Sequence, residues 1–419
     1  MRRPAPAPPR RRNAGTVARF AAAILLLAPS PARADSFTLA QQPPAPPDAG
    51  HYARAAFTAQ GETRDANSGA TRGFKISGSI WRPQPAGSGP KTALIEIAPE
   101  PQTTTGDIYE IARKRGATLV FIAPDAAGSR DAQRDALRAL ALRLRKAEGS
   151  AFVIGRGDGD AAIADFARAE LNTSENGARF FDALLLHNPP PPAPPDKTPR
   201  NAPLIIETLD SRVFWGAARR PAQQETRADN RRLFYLAGVA APATAADNCA
   251  APINPRRAEP AHRALLAALF DWVQKGVVPP ASRPPLLTPA RDIAFPGTPG
   301  APSPPAGERL VPATDADGNE TSGLLLPDAA LPIGTFTARN AARDIKGPAC
   351  AGGAFIAFAA TKAQREATRD PRLSLTERYG SRAYFVATLR VIADKLVKDR
   401  LLLPEDADAF VAAAKTAPF

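Results

Sequence analysis

The run Ala151-Phe-Val-Ile-Gly155-Arg156-Gly157-Asp158-Gly159 decides how the rest of this 419-residue chain is read. Its first residues form a short apolar strand, and its glycines permit an abrupt change of direction before a helical stretch from Gly159 to Glu170. A strand that opens straight into a helix is the layout of a nucleophile elbow, which presents one side chain at the edge of a sheet. That turn is sharp enough to require small residues two before and two after the presented one. Gly155 and Gly159 satisfy this and put the slot at Gly157, whereas a slot at Asp158 would crowd Arg156 and Asp160. Two blander readings use the same residues. Such a turn can cradle phosphate, although Asp158 and Asp160 would repel an anion. Acidic residues at a helix start also simply complement its dipole.

Outward from this turn the pattern is regular. Phe74 to Trp81 alternates like an antiparallel strand. Thr92-Ala-Leu-Ile-Glu-Ile-Ala98, Ala117-Thr-Leu-Val-Phe-Ile-Ala123, Phe181 to His187, Pro203 to Thr208 and Leu233-Phe-Tyr-Leu-Ala237 are apolar strands. Between them lie helical stretches at Ile108–Arg115, Asp131–Ala147 and Pro260–Lys275. Short apolar strands alternating with helices predict a doubly wound, mostly parallel α/β sheet, covered on both faces, over residues 74–276. Residues 35–73 read as a loose lead-in and 277–306 as a Pro-rich linker. Residues 307–419 read as an extension packed on the core, with a hairpin about Asp317-Gly318 and helices over 362–369, 374–398 and 405–415.

Composition narrows the function classes. The net charge of +13 is inflated by Arg2, Arg3, Arg10, Arg11 and Arg12. The other basic residues lie on helices beside Asp and Glu without interleaved aromatics, so no nucleic-acid partner is expected. Three histidines and two cysteines show no metal-ligand spacing, and no metal or cofactor is expected. The basic start, the apolar run Phe20 to Leu27 and the small-x-small stretch Ala32-Arg33-Ala34 predict a signal peptide over residues 1–34. The mature chain is expected in the periplasm or outside the cell, with no membrane-spanning segment. There Cys249 and Cys350 could pair if geometry allows.

The stretch from Gly155 through His187 resembles a family of bacterial secreted α/β-hydrolase-domain proteins. Their elbow reads Gly-x-Ser-Gln-x-Gly, and Asp165-Phe166, Asn172, Phe181-Asp182 and His187 stand at matching places. The resemblance continues in Ala268-Leu-Phe-Asp-Trp-Val-Gln-Lys-Gly276 and Pro279-Pro280. It is most specific in Val311-Pro, Asp315-Ala-Asp-Gly-Asn319, Leu331-Pro-Ile-Gly-Thr335 and Leu401-Leu-Leu-Pro-Glu-Asp406. It implies an α/β-hydrolase fold with a hairpin-plus-helix C-terminal extension. It also implies where the catalytic residues fall, with the nucleophile and base lost and a carboxylate kept. The elbow serine falls on Gly157, the acid falls on Asp210, and the histidine base falls on Ala241.

Acyl transfer on this fold needs a nucleophile and an imidazole to take its proton. With Gly157 and Ala241 in those places, the expectation is a catalytically impaired protein. It would retain the backbone N–H of Asp158 as an oxyanion donor and a cleft, lined by Asp158 and His187, for a small ester-like or acyl ligand or a protein partner. The alternative is a carboxylic-ester hydrolase with a non-standard nucleophile or a water activated by Asp158 or Asp210. His262 reads as a surface or capping residue, His51 as part of the lead-in, and Asp315-Ala-Asp-Gly-Asn319 as a turn rather than a calcium loop.

Overall fold

The computed structural model describes residues 37–41, 52–64, 71–84, 91–99, 108–124, 129–159, 161–174, 177–190, 202–215, 229–240, 248–293, 309–344, 346, 350 and 352–419. Nine strands form its main sheet: β1 (Phe37–Gln41), β2 (Tyr52–Arg64), β3 (Thr71–Pro83), β4 (Thr92–Ile97), β5 (Thr118–Ile122), β6 (Phe152–Asp158), β7 (Ala183–His187), β8 (Leu204–Asp210) and β9 (Arg231–Leu236). Their spatial order is β1-β2-β3-β5-β4-β6-β7-β8-β9. From β5 to β9 every pairing is parallel, and β1, β2 and β3 join antiparallel at one side.

Alternation along the strands sends side chains to two faces. On one face Leu94, Leu119, Ile154, Leu185, Ile206 and Phe234 pack under helices α1 (Ile108–Lys114) and α6 (Glu259–Lys275). On the other, Ile95, Val120, Val153, Leu184 and Ile205 pack under α2 (Arg130–Ala147) and α3 (Ala161–Ala164). Two further short helices, α4 (Ala169–Asn172) and α5 (Arg212–Trp215), follow β6 and β8. The sheet is therefore doubly wound and mostly parallel, as the alternation of apolar runs predicts.

The C-terminal part adds two small antiparallel pairs, β10 (Leu287–Pro289) with β11 (Leu310–Pro312) and β12 (Gly334–Phe336) with β13 (Phe355–Ala357). Its helices are α7 (Pro327–Ala330), α8 (Lys362–Thr368), α9 (Leu375–Tyr379), α10 (Arg382–Lys398) and α11 (Pro404–Ala414). Ala393, Leu396, Leu401, Leu402 and Ala407 join the apolar cluster of α1 and α6. Arg263 of α6 ties the layers together, with Glu110 of α1 at 3.0 Å and Asp406 of α11 at 3.0 Å. A disulfide joins Cys249 to Cys350.

Three expectations differ from the structure. Residues 37–41 and 52–64, read as loose, are strands; Tyr52, Ala53, Ala55, Phe57 and Ala59 are buried, while Arg54, Ala56, Thr58 and Gln60 face water. The helix expected over 159–170 is broken into single turns over 161–172. The helix expected over 374–398 is two helices, because Gly380 turns with φ +70° and Ser381 caps a new start by accepting the Tyr384 N–H. Around Asp317-Gly318 a tight turn forms: Thr314 pairs antiparallel with Glu320, and the Asp315 carboxylate accepts the N–H groups of Asp317 and Asn319. The expected signal segment, His51, Asp160 and Ala241 lie outside the described residues.

Candidate functional site

Strand β6 runs through Gly157 to Asp158, in register with β7, so that Asp158 pairs with His187. The Gly159 N–H donates to the His187 carbonyl at 2.8 Å. The chain then reverses at Gly159, whose φ of +68° favours glycine. A Cβ placed on Gly155 would stand 2.8 Å from Leu184 Cδ2 and 3.1 Å from the Phe181 ring, which explains the small residue there. A Cβ on Gly159 would meet nothing within 4 Å, so open space lies beside this turn. The left-handed residue thus comes two positions after Gly157. Centred on Gly159, the small flanking residues are Gly157 and Ala161; centred on Gly157, they are Gly155 and Gly159. In both registers the presented residue is glycine.

At the end of β8, Asp210 is buried. Its carboxylate accepts from Asn188 Nδ2 at 2.9 Å, from the Arg212 N–H at 2.9 Å and from Arg212 Nε at 2.8 Å. His187 Nε2 lies 3.4 Å from Asp210 Oδ2. Burial acts to raise this carboxyl, but His187, the Arg212 charge and the Asn188 amide outweigh it and hold it below the usual carboxylate range. The two residues expected to line a cleft are placed differently: Asp158 is exposed at the strand end, and His187 is buried.

The other nitrogen of His187, Nδ1, is 3.0 Å from Thr208 Oγ1, and that hydroxyl is also 3.0 Å from His262 Nε2. The two imidazole rings meet edge to face, with centroids 4.6 Å apart. Burial, then the charges of His187 and Arg156, push His262 well below its ordinary value. The contacts Thr208–His187–Asp210 follow the hydroxyl–imidazole–carboxylate order of an acyl-transfer relay. Thr208, however, is 0% exposed, and its hydroxyl is shared between two imidazoles and the Leu186 carbonyl. No substrate carbonyl reaches it as the chain is folded.

His262 therefore corrects the surface or capping assignment. It is buried on the inner side of α6, in the stripe shared with Leu265, Leu266 and Leu269. That spacing was present in the sequence as a signal for the core-facing side. Other members of the site were missed altogether. Glu96 and Arg156 form an ion pair between β4 and β6, and Tyr109 donates to the second Glu96 oxygen at 2.8 Å. A charged residue inside the apolar run of β4 was the available clue.

Glu320, from the C-terminal part, was also missed. Its buried carboxylate accepts from Ser211 Oγ at 2.9 Å, Trp215 Nε1 at 2.8 Å and the Gly238 N–H at 2.6 Å. Burial pushes this carboxyl up. Glu320 so joins the turn after β8 to the turn after β9, which are also bonded directly by the Ser211 N–H to the Val239 carbonyl at 3.0 Å. Among the described residues, no group of three His, Cys, Asp or Glu side chains could hold a metal ion, and no helix is long and apolar enough to cross a membrane.

Residues 151–412, more than half of the chain, match the family described as alpha/beta hydrolase domain. No curated protein matches the chain in sequence. Among solved structures, it is similar to Candida antarctica lipase A in its closed state, at 17% identity over 36% of this chain and 41% of that one, with a TM-score of 0.26. It is similar to an α/β serine hydrolase without a lid from Xanthomonas campestris, at 19% identity over 33% and 66%, with a TM-score of 0.23. A glucuronoyl esterase from Solibacter usitatus matches at 11% identity over 39% and 54%, with a TM-score of 0.27. The matched part spans less than two thirds of the length of each of these structures. The doubly wound, mostly parallel sheet and the family match agree: the chain belongs to the alpha/beta hydrolase domain family.

Proposed function

We propose that this chain is an exported α/β-hydrolase-fold protein that has lost ester hydrolysis and keeps the carboxyl end of its sheet as a binding site for a small ester-like or acyl ligand or a partner. One observation carries the reading: the residue presented at the strand-to-helix turn is glycine whether the turn is centred on Gly157 or on Gly159. Glycine offers no atom to attack a carbonyl. The neighbouring imidazole does not replace the missing chemistry, because His187 spends one nitrogen on the Asp210 and Asn188 side and the other on Thr208. The base position taken from the family resemblance is Ala241, which accepts no proton. What remains on such a scaffold is binding and backbone polarity.

Export is supported by the basic and apolar N-terminal stretch and by the Cys249–Cys350 disulfide, a bond that persists in oxidising compartments. Expression of the full chain in a bacterium with fractionation tests it; the mature N-terminus is expected at Asp35 in the periplasmic or medium fraction.

The exposed Asp158 beside the open space at Gly159 favours a second reading, hydrolysis by a carboxylate-activated water. Two pairs of substitutions separate the readings: Gly157→Ser with Ala241→His, and Gly159→Ser with Ala241→His. Gain of p-nitrophenyl ester turnover in one pair over a silent natural chain supports loss of chemistry in a persisting site. Turnover in the natural chain that disappears in Asp158→Asn supports the second reading.

A further inference from the structure

Arg156 directly precedes Gly157 on β6, and its side chain is only 14% exposed. Alternation puts it on the α1 and α6 face, together with Glu96, His187 and Thr208. Among the described residues, its side chain bonds from one nitrogen: Nη1 meets Glu96 Oε1 and the Tyr109 hydroxyl. Both Glu96 oxygens are thereby engaged, one by Arg156 and the other by Tyr109 at 2.8 Å. The guanidinium carbon also lies 5.7 Å from the centre of the Tyr109 ring. Nε and Nη2 bond to no described residue, and neither is among the buried side-chain nitrogens that lack a partner. The side-on fork of the Arg156 Nε–H and Nη2–H groups is therefore left without a partner among the described residues, on a side chain tied at its other nitrogen to Glu96 and Tyr109.

We infer that Arg156 is the specificity-determining residue of this site and that the ligand it takes is a carboxylate rather than a neutral ester. The inference rests on the reading of lost hydrolysis and names its ligand class. Two parallel N–H groups on the Nε–Nη2 edge match the two oxygens of one carboxylate. A pre-positioned guanidinium loses little side-chain freedom on binding, and its low exposure strengthens the attraction. Open space lies beside Gly159, three residues on from Arg156, where an added Cβ meets nothing within 4 Å. The same place in a working hydrolase would hold the nucleophile and the ester being cleaved. Here the acid form of such a molecule finds the N–H donors of a guanidinium already paired with Glu96, and no attacking group. The exposed carboxylate of Asp158, on the same face two residues on, opposes any anion. It opposes a phosphate dianion more than a monocarboxylate, whose two oxygens are matched by the two N–H groups of the fork.

Isothermal titration of the full mature chain tests this, with hexanoate and benzoate, their methyl esters, and phenyl phosphate as probes. Both acids should bind, with the methyl esters and phenyl phosphate about tenfold weaker or more. Arg156→Lys, which keeps the charge and loses the fork, should weaken the acids about tenfold. The pair Arg156→Leu with Glu96→Leu removes both buried charges and should abolish the preference for acid over ester, with circular dichroism confirming the fold. Asp158→Asn should tighten the acids about threefold. Esters bound as well as acids, acids bound unchanged by the lysine variant, phenyl phosphate bound tighter than benzoate, or no acid bound at all would each overturn the inference. If no variant folds, the acid and ester comparison on the natural chain still decides it. Release of acid from the methyl esters, read by proton NMR in the same samples, would instead overturn the reading of lost hydrolysis and leave the preference for carboxylate as a separate result.

Discussion

Thr208 Oγ1 stands 3.0 Å from His187 Nδ1, shut away from water, and so uses up the ring nitrogen that a general base at this edge would need. The hydroxyl bridges two imidazoles, His187 and His262, and knits β7, β8 and α6 together at the carboxyl end of the sheet. The contacts look like a relay but work as a buried polar lock.

Thr208→Val keeps the shape and removes the bridge, leaving His187 Nδ1 and His262 Nε2 short of a partner. We expect a loss of about 2 kcal/mol or more in urea unfolding, with ester hydrolysis unchanged from background. An ester turnover that fell with this substitution would return Thr208 to the chemistry.

The low value of His262 has a sign for stability. Its folded value lies well below the ordinary 6.5, so the fold holds the ring neutral while the unfolded chain takes up a proton as pH falls. The contribution is fully present above the unfolded value and is lost as pH drops through and below it. Unfolding free energy measured from about pH 8 to about pH 5 should therefore fall in the natural chain and fall less in His262→Gln. Equal slopes would show that other groups set the acid limit.

Glu320→Ala should loosen the turns after β8 and β9 together. Ser211, Trp215 and Gly238 each lose an acceptor, at an expected cost of about 3 kcal/mol. Hydrogen exchange should rise at the Gly238 amide, which Glu320 holds at 2.6 Å, while the amides of β4 and β6 stay protected.

The disulfide closes a loop with a sequence separation of 101 between Cys249 and Cys350. Chain-entropy arguments put its effect at roughly 4–5 kcal/mol for a loop of this length. Cys249→Ser, or the natural chain with reductant, should unfold at clearly lower denaturant. The reductant should have no effect on the variant.

The parallel half of the sheet was legible because strands such as Thr92–Ile97 and Ala183–His187 are buried on both faces and read as largely apolar runs. Strand β2 was not, because its buried positions are mostly alanines alternating with Arg, Thr and Gln, a pattern of low hydrophobicity that resembles a loop. Asp210 came from the family resemblance alone, and the structure places it as the last residue of β8. His262 was misread although Leu265, Leu266 and Leu269 mark its side of the helix, since a polar residue at a helix start also suits a cap. The pairing of Arg156 with Glu96 joins strands separated by 60 positions, and only the spatial order β4-β6 brings them together. Gly157 and Gly159 satisfy the same small-residue rule, so the centre of the turn depended on the backbone angle at Gly159.

On the reading of lost hydrolysis, the fold persists without the chemistry. The most direct measurement is hydrolysis of p-nitrophenyl esters of short and long acyl chains by the purified mature natural chain, with and without a serine-directed phosphonate. The account predicts rates at the no-protein background for every chain length and no phosphonate adduct by mass spectrometry. Sustained turnover that tracks the folded protein, with or without an adduct, would contradict it.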